Sequence, residues 1–363
     1  MKYYIIAGEA SGDLHASNLM RELKQLDAEA QFRCWGGDRM AGQGGDIVKH
    51  YKDLAFMGFL EVLMNLRTIL KNIAFCKADI LAWRPDVVIM VDYPGFNLRI
   101  AAFLKQHGIR SFYYISPQVW AWKESRVKKI KEQVDRMFVI LPFEKAFYEK
   151  WQYQVDFVGH PLLDAIQEYP ADKLSFSNSQ PIIALLPGSR KQEIAKMLPI
   201  MAAMPRHFPE YQFVIAGLSH IGEAFYRNYA PQEITLVMDS TYPLLLTAHA
   251  ALVTSGTATL ETALFNVPQV VCYKGSWFSY IIGKQLVKVK YISLVNLILD
   301  KAAVKELIQY ELNEQNLRDA LNQILQAAIR EDMQATFKEL RNKLGGSGAS
   351  KRAASLMWQY LHE

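Results

Sequence analysis

The chain has 363 residues, about twice the size of one ordinary domain, so two domains are the starting expectation. Hydrophobic residues make up 51% and charged residues 21%, and the net charge is +5 with an isoelectric point near 8.8. That describes a globular, slightly greasy protein, too weakly basic to argue for nucleic acid but compatible with an anionic substrate or a membrane surface. Cys34, Cys76 and Cys272 are widely spaced and make neither a metal pattern nor a disulfide framework, which suits a reducing cytosol. No apolar run reaches the ~20 residues of a membrane-spanning helix. The run within MKYYIIAGEASGD is too short for a signal peptide.

Lys2–Ala7 reads as a strand, Gly8–Asp13 (GEASGD) as a glycine-bearing turn, and Leu14–Leu26 as an amphipathic helix. Glu9, Ser11, Asp13 and His15 gather at this turn. Two acids make it a poor cradle for a diphosphate and a better one for the hydroxyls of a neutral sugar. The alternatives are Asp13 as a helix cap and His15 as an exposed helix residue. Phe32–Trp35 is a strand leading into a glycine-rich loop. Leu54–Trp83 is helical but apolar on more than one face. Phe56, Met57, Phe59, Leu60, Leu63, Met64, Leu66, Ile69, Leu70, Ile73 and Phe75 exceed one core-facing stripe, with Arg67, Lys71 and Lys77 interspersed. Such a helix can lie in a bilayer interface, or be buried in the core or at a dimer contact.

Asp86–Val91 is a β-branched strand, and Asp92 follows at its C-terminal end in VDYPGFN. Open α/β sheets bind ligands at the carboxyl ends of their strands, so Asp92 is a candidate general base; the alternative is a cap for the helix beginning near Phe96. Ser111–Ile115 is a strand, followed by SPQVWAW (Ser116–Trp122) and a basic helix with Arg126, Lys128, Lys129 and Lys131. That cluster could meet acidic lipid or phosphate, or simply be a solvated face. Met137–Leu141 is a strand and Pro142–Lys150 a helix. Gly159-His160-Pro161 reads as a hinge with a structural histidine, and Ala171–Gln180 as the linker.

In the second half Pro181–Leu186 is a strand, and Pro187-Gly188-Ser189-Arg190 turns into a helix carrying Lys191, Gln192 and Glu193. Arginine forks onto phosphate oxygens and is always charged. Gln212–Ala216, Thr235–Val237 and Gln269–Tyr273 are strands; Tyr242–Thr247 and Trp277–Val287 are helices. Tyr291–Leu299 ends the sheet region, with Asn296 its one polar interior residue. Val304–Tyr310, Leu317–Ile329 and Met333–Leu344 are helices, and after the loop Gly345–Ser350 a terminal helix covers Lys351–Leu361. The stretch Ala251–Glu261 (ALVTSGTATLE) is a strand end, a small-residue turn and a helix start. Ser255 or Thr257 can cap that helix, Gly256 lets a ligand approach the backbone, and the first N–H groups, with the helix dipole behind them, suit a phosphate. Glu261, a turn further in, is placed to accept from a sugar hydroxyl, or is merely solvated. Strand and helix alternate in both halves. The expected fold class is therefore α/β, with two doubly wound Rossmann-like domains, residues 1–170 and 171–344, facing a central cleft, and a terminal helix at 345–363.

GEASGD, SPQVWAW, LPFE (Leu141–Glu144), GHP (Gly159–Pro161), LPGSR (Leu186–Arg190) and SGTATLE (Ser255–Glu261) together resemble, in order and over nearly the whole chain, the lipid-A-disaccharide synthase family of inverting GT-B glycosyltransferases. Two departures stand out: Gly95 where the family often has a second aspartate, and Val295 where it has a proline. The resemblance implies transfer of 2,3-diacylglucosamine from UDP to 2,3-diacylglucosamine 1-phosphate (lipid X), giving a β-1,6-linked disaccharide and UDP. It places the protein in the cytoplasm, peripherally on the inner membrane of a Gram-negative bacterium. On that footing Asp92 is the base, with Arg190 and Glu9 also counted as catalytic. Gly188, Ser189, Arg190, Ser255, Gly256, Thr257, Ala258, Glu261 and Asn296 meet UDP. Glu9, Ser11, Asp13 and His15 face the sugars, and the greasy helix takes acyl chains or the bilayer. No D-x-D occurs, so the expected mechanism uses no metal and no cofactor, with protein cations in the metal's place. The resemblance also implies a homodimer with exchanged C-terminal segments and a terminal helix that packs back on the first domain. The rival readings are a membrane-acting N-acetylglucosaminyl transferase of the same fold, a non-enzymatic lipid or nucleotide carrier, and a nucleotide-sugar epimerase.

Overall fold

A computed structural model describes residues 1–53, 66–122, 124–169, 180–275 and 290–363, with the side chains at 66 and 122 excepted. It comprises two compact units, one of Met1–Asp164 with Leu344–Glu363, the other of Ala165–Lys343.

The first unit is built on β1 (Lys2–Ala7), β2 (Gln31–Gly36), β3 (Asp46–His50), β4 (Val87–Val91), β5 (Ser111–Tyr114), β6 (Arg136–Val139) and β7 (Asp156–Phe157), in the order β3-β2-β1-β4-β5-β6-β7. All pairings are parallel. Tyr3–Ala7 and Val87–Val91 are apolar at every position and fully buried. Only a strand covered by helices on both faces can be so uniformly apolar. The helix Ala10–Leu26 starts four residues before the expected Leu14. The helix Ala349–His362 packs on it, burying Ala349, Ala353, Ala354 and Met357. Asp164 caps that helix, accepting from the backbone N–H groups of Ala349 at 3.2 Å and Ser350 at 2.8 Å.

The second unit carries β8 (Ile182–Leu186), β9 (Gln212–Gly217), β10 (Thr235–Met238), β11 (Ala248–Thr254), β12 (Gln269–Tyr273) and β13 (Lys305–Ile308), also all parallel, in the order β10-β9-β8-β11-β12-β13. Two elements differ from the sequence expectation. The stretch taken to end the sheet is a helix, Leu294–Leu299, capped by Ser293, whose hydroxyl accepts from Asn296 N–H at 3.3 Å. The stretch taken for a helix at Val304–Tyr310 is the edge strand β13, paired with β12 from Val270↔Lys305 to Tyr273↔Ile308. Val304 and Leu307 are spaced like one face of a helix, but here the backbone of β12 recruits Lys305–Ile308 into the sheet. The last helices of this unit are Glu314–Leu325 and Ala327–Lys343, broken at Gln326, whose backbone is extended.

In both sheets the strand order reverses beside the first strand, between β1 and β4 and between β8 and β11. These are the two topological switch points.

Candidate active site

At the first switch point β1 ends at Ala7, paired with Val91 at the end of β4. The chain leaves β1 into Gly8 and Glu9, and leaves β4 into Asp92 and Tyr93. The Tyr93 ring lies so close over Gly8 that a Cβ there would overlap it. Asp92 and Tyr93 both have left-handed backbones, with φ of 44° and 50°. Two such residues in succession, neither of them glycine, are unfavourable unless the surroundings impose them. Here three hydrogen bonds do so. Asn97 Nδ2 and the Tyr113 hydroxyl each donate to the Asp92 carbonyl at 2.7 Å, and Asp92 N–H donates to the Tyr114 carbonyl at 3.0 Å. The helix Pro94–Gln106 starts after this bend with no side-chain cap, so Asp92 is not its cap. Burial, reinforced by the negative charge of Glu9, raises the Asp92 carboxyl from its ordinary 3.8 to about 6. Glu9 is half-buried and Ser11 exposed.

Asp13 and His15 face inward instead. Asp13 accepts from the N–H groups of Gly37 at 2.7 Å and of Arg39 and Met40 at 3.2 Å, so its carboxylate fastens the loop after β2 rather than reaching for a sugar. It does not cap its own helix. His15 is buried, not exposed, and burial lowers it to about 4; His160, buried too, is lowered to about 3. Both are neutral, and His160 Nδ1 accepts from Leu162 N–H at 3.2 Å, a structural role. Two of the quoted motifs prove to be fastened together: Trp120 Nε1 donates to Glu144 at 3.2 Å, and the hydroxyls of Ser116 and Tyr148 share a 2.6 Å bond.

Of the greasy helix, Leu66–Trp83 is described. Phe56, Met57, Phe59, Leu60, Leu63 and Met64 lie outside the described residues, as does the Leu66 side chain. Ile73 is buried and Ile69 packs against the same core, which corrects the expectation that they face lipid. Leu70 and Phe75 are exposed, at 54% and 49%.

At the second switch point the turn after β8 and the turn after β11 sit side by side, with Leu186 paired to Val253. Gly188 has φ 119°, and Glu193 folds back beneath it. Glu193 accepts from Ser189 N–H at 3.2 Å and pairs with Arg190 at 3.5 Å, leaving the arginine 59% exposed. After β11, neither Ser255 nor Thr257 caps the helix Thr257–Leu264. Ser255 Oγ instead donates to the Ile292 carbonyl at 3.2 Å. Gly256, at φ 154°, has nothing within 4 Å of where a Cβ would stand. The result is an uncapped helix start, carrying Thr257 and Ala258, behind open space: an anion site in shape and charge. Glu261 is held by the Tyr242 hydroxyl at 2.8 Å, and burial raises its carboxyl.

Asn296 does not reach out to a nucleotide. Its Nδ2 donates to the Val304 carbonyl and to Glu306, and its Oδ1 accepts from Val304 N–H, each at 2.9 Å. Glu306 also accepts from Ile292 N–H at 3.0 Å and Ser293 N–H at 2.9 Å, so these two residues brace the segment that holds Ser255. Sequence reasoning missed Asn97, Tyr113, Tyr242, Glu193 and Glu306. Only Glu193 left a local signal, an acid at the third position of its helix.

The chain matches the family model "Lipid-A-disaccharide synthetase" over residues 3–357. It is 40% identical to the lipid-A-disaccharide synthase of Syntrophus aciditrophicus, covering 96% of this chain and 95% of that one. To that of Coxiella burnetii (strain Dugway 5J108-111) it is 36% identical, covering 97% and 96%. Among solved structures the fold is similar to a Staphylococcus aureus MnaA–UDP co-structure, with TM-score 0.72, 14% identity and coverage of 99% and 97%. It is also similar to the glycotransferase of kitacinnamycin, with TM-score 0.67, 14% identity and coverage of 99% of both chains. These two likenesses establish the α/β GT-B fold, and the family model and the sequence relatives, matched over nearly their full length, settle the family: the chain belongs to the lipid-A-disaccharide synthase family.

Proposed function

We propose that the protein transfers 2,3-diacylglucosamine from UDP-2,3-diacylglucosamine to 2,3-diacylglucosamine 1-phosphate, with inversion at the anomeric carbon. The observation that carries this reading is the Asp92 carboxyl: partly buried at a strand end, fixed by its backbone, and raised to about 6. A base with a pKa near the working pH is close to optimal for removing a hydroxyl proton. Asp92 takes the proton from the acceptor 6-hydroxyl as that oxygen bonds to the donor C1. The bond from C1 to the diphosphate breaks on the opposite face, and UDP carries away its electron pair.

Arg190 and the uncapped helix start at Gly256–Ala258 neutralise the departing diphosphate, Ser189 and Ser255 flank it, and Glu261 accepts from the ribose. Glu9 and Ser11 meet sugar hydroxyls. The absence of D-x-D from the sequence and the exposed Arg190 support a mechanism in which protein cations replace a divalent metal. Peripheral contact with the inner membrane is supported by exposed Leu70 and Phe75 beside Arg67 and Lys71. No described helix is long and apolar enough to cross a membrane.

The test is UDP release with and without the acylated monosaccharide 1-phosphate, in EDTA, for the wild type, Asp92→Asn and Arg190→Ala. Acceptor-dependent release that survives EDTA, collapses in Asp92→Asn and falls about 10²–10³-fold in Arg190→Ala is expected. Robust release by Asp92→Asn would move the base elsewhere.

A further inference from the structure

In the first unit, the helices Pro94–Gln106 and Arg126–Gln133 enclose a cavity of about 360 Å³. The first helix lines it with positions 94, 95, 98, 99 and 102, and the second with 126, 129, 130 and 133. Each set is one helical face, so the two faces look at each other across the cavity. Leu98, Ala102 and Ile130 make apolar walls. Arg99, Arg126 and Lys129 bring three positive charges, and no acidic residue is among the described residues that line it. Gly95 leaves the rim open, since a Cβ there would meet nothing within 4 Å. Three cations around an apolar-walled hollow suit a phosphate carried on a partly apolar body. The rim at Pro94–Gly95 begins two residues after Asp92.

We propose that this cavity seats the phosphate monoester of the acceptor, a phosphorylated acylated sugar, with Arg99, Arg126 and Lys129 as its ligands. The assignment rests on the function proposed above. In a hexose 1-phosphate C1 and C5 both flank the ring oxygen, so a seat for the phosphate keeps O6 within about one ring width of it, and the rim at Pro94–Gly95 is the part of the cavity next in the chain to Asp92. The cavity then sets acceptor specificity: it selects the sugar whose anomeric position is already phosphorylated and cannot itself act as a donor.

The test compares transfer to 2,3-diacylglucosamine 1-phosphate and to 2,3-diacylglucosamine, for the wild type and Arg99→Gln/Lys129→Gln. Both replaced residues are exposed, so the fold is retained. The double variant is expected to raise KM for the phosphorylated acceptor about 10–100-fold, the equivalent of one or two charge-assisted hydrogen bonds, with kcat and the unphosphorylated acceptor unchanged. Equal changes for both acceptors, or no change, overturn the assignment. If the wild type transfers to neither acceptor, the functional reading fails on its own. The cavity is then judged by calorimetric titration with glucosamine 1-phosphate, glucosamine and inorganic phosphate. Selective binding of the sugar phosphate, weakened in the variant, supports the seat; equal binding of inorganic phosphate overturns it. Loss of binding to phosphatidylglycerol vesicles with acceptor discrimination intact also overturns it, and makes the cations a membrane contact.

Discussion

The side-chain amide of Asn97 donates to the main-chain carbonyl of Asp92 at 2.7 Å, across the bend between β4 and the following helix. A buried side chain thus holds the backbone of the candidate base, not its carboxylate. Asn97→Ala is expected to relax the left-handed pair Asp92–Tyr93, lowering turnover about tenfold or more while UDP affinity is unchanged. The lost bond should also cost about 1–3 kcal/mol of stability, read from the urea midpoint. A variant with normal turnover and reduced stability would make Asn97 a fold residue alone.

The pH profile follows from the same carboxyl. A base works only when deprotonated, so kcat/KM should rise with pH through about 6, the value to which burial and Glu9 raise Asp92. Removing the neighbouring charge by Glu9→Gln favours the ionised form of Asp92 and should move that acid limb to lower pH. An unmoved limb in Glu9→Gln would show that the titrating group lies elsewhere.

His15 and His160 give a stability profile opposite to that of a histidine held in a salt bridge. Burial holds both below their ordinary 6.5, at about 4 and about 3. The unfolded chain therefore binds more protons. The stability contributed by keeping them neutral is complete above pH 6.5 and is lost as pH falls from 6.5 toward those values, at about 1.4 kcal/mol per histidine per pH unit. His15→Leu should be less sensitive than the wild type between pH 6.5 and 4.5 in urea titrations. Equal slopes would mean that His15 is protonated in the fold.

Two glycines should separate binding from folding. Gly256→Ala has free space for its Cβ but points it into the open anion site, so UDP affinity should fall about tenfold or more, with a modest loss of stability from the unfavourable φ. At Gly188 the added Cβ would stand 2.8 Å from the Glu193 Cβ and 2.7 Å from its Oε2. Gly188→Ala should therefore displace Glu193, free Arg190 and lose more stability. Calorimetric UDP titration beside thermal melts distinguishes the two.

Tyr242→Phe removes the donor that orients Glu261. UDP affinity should drop about three- to tenfold, less than in Glu261→Ala. A drop in Tyr242→Phe equal to that of Glu261→Ala would make the pair a single unit.

The strands were plain in the residues because runs such as YYIIA and VVIMV are apolar at every position, which a doubly covered parallel sheet alone requires. The switch-point positions of Asp92, Arg190 and Gly256 were legible for the same reason: each comes within four residues of the end of such a run. Asp13 and Asn296 misled because a polar side chain near a strand end looks the same whether it meets a ligand or a distant backbone. Asp13 is fastened to Gly37, 24 residues on, and nothing local announces that partner. The exchange of helix and strand between Leu294–Leu299 and Lys305–Ile308 has a similar origin. Both are short stretches, LVNLIL and KELI, in which a strand period and a helix period cannot be told apart, and the tertiary neighbours, not the period, decide.

The return of Ala349–His362 to the helix Ala10–Leu26 has a consequence for synthesis. The ribosome finishes all seven strands of the first unit, and then the entire second unit, before it makes the helix that covers part of the first. Until then the helix Ala10–Leu26 lacks that partner, although its own sheet is already complete. A nascent chain stalled anywhere in the second unit would thus leave one face of that helix uncovered on its oldest part, and that face is where a chaperone would be expected to hold it.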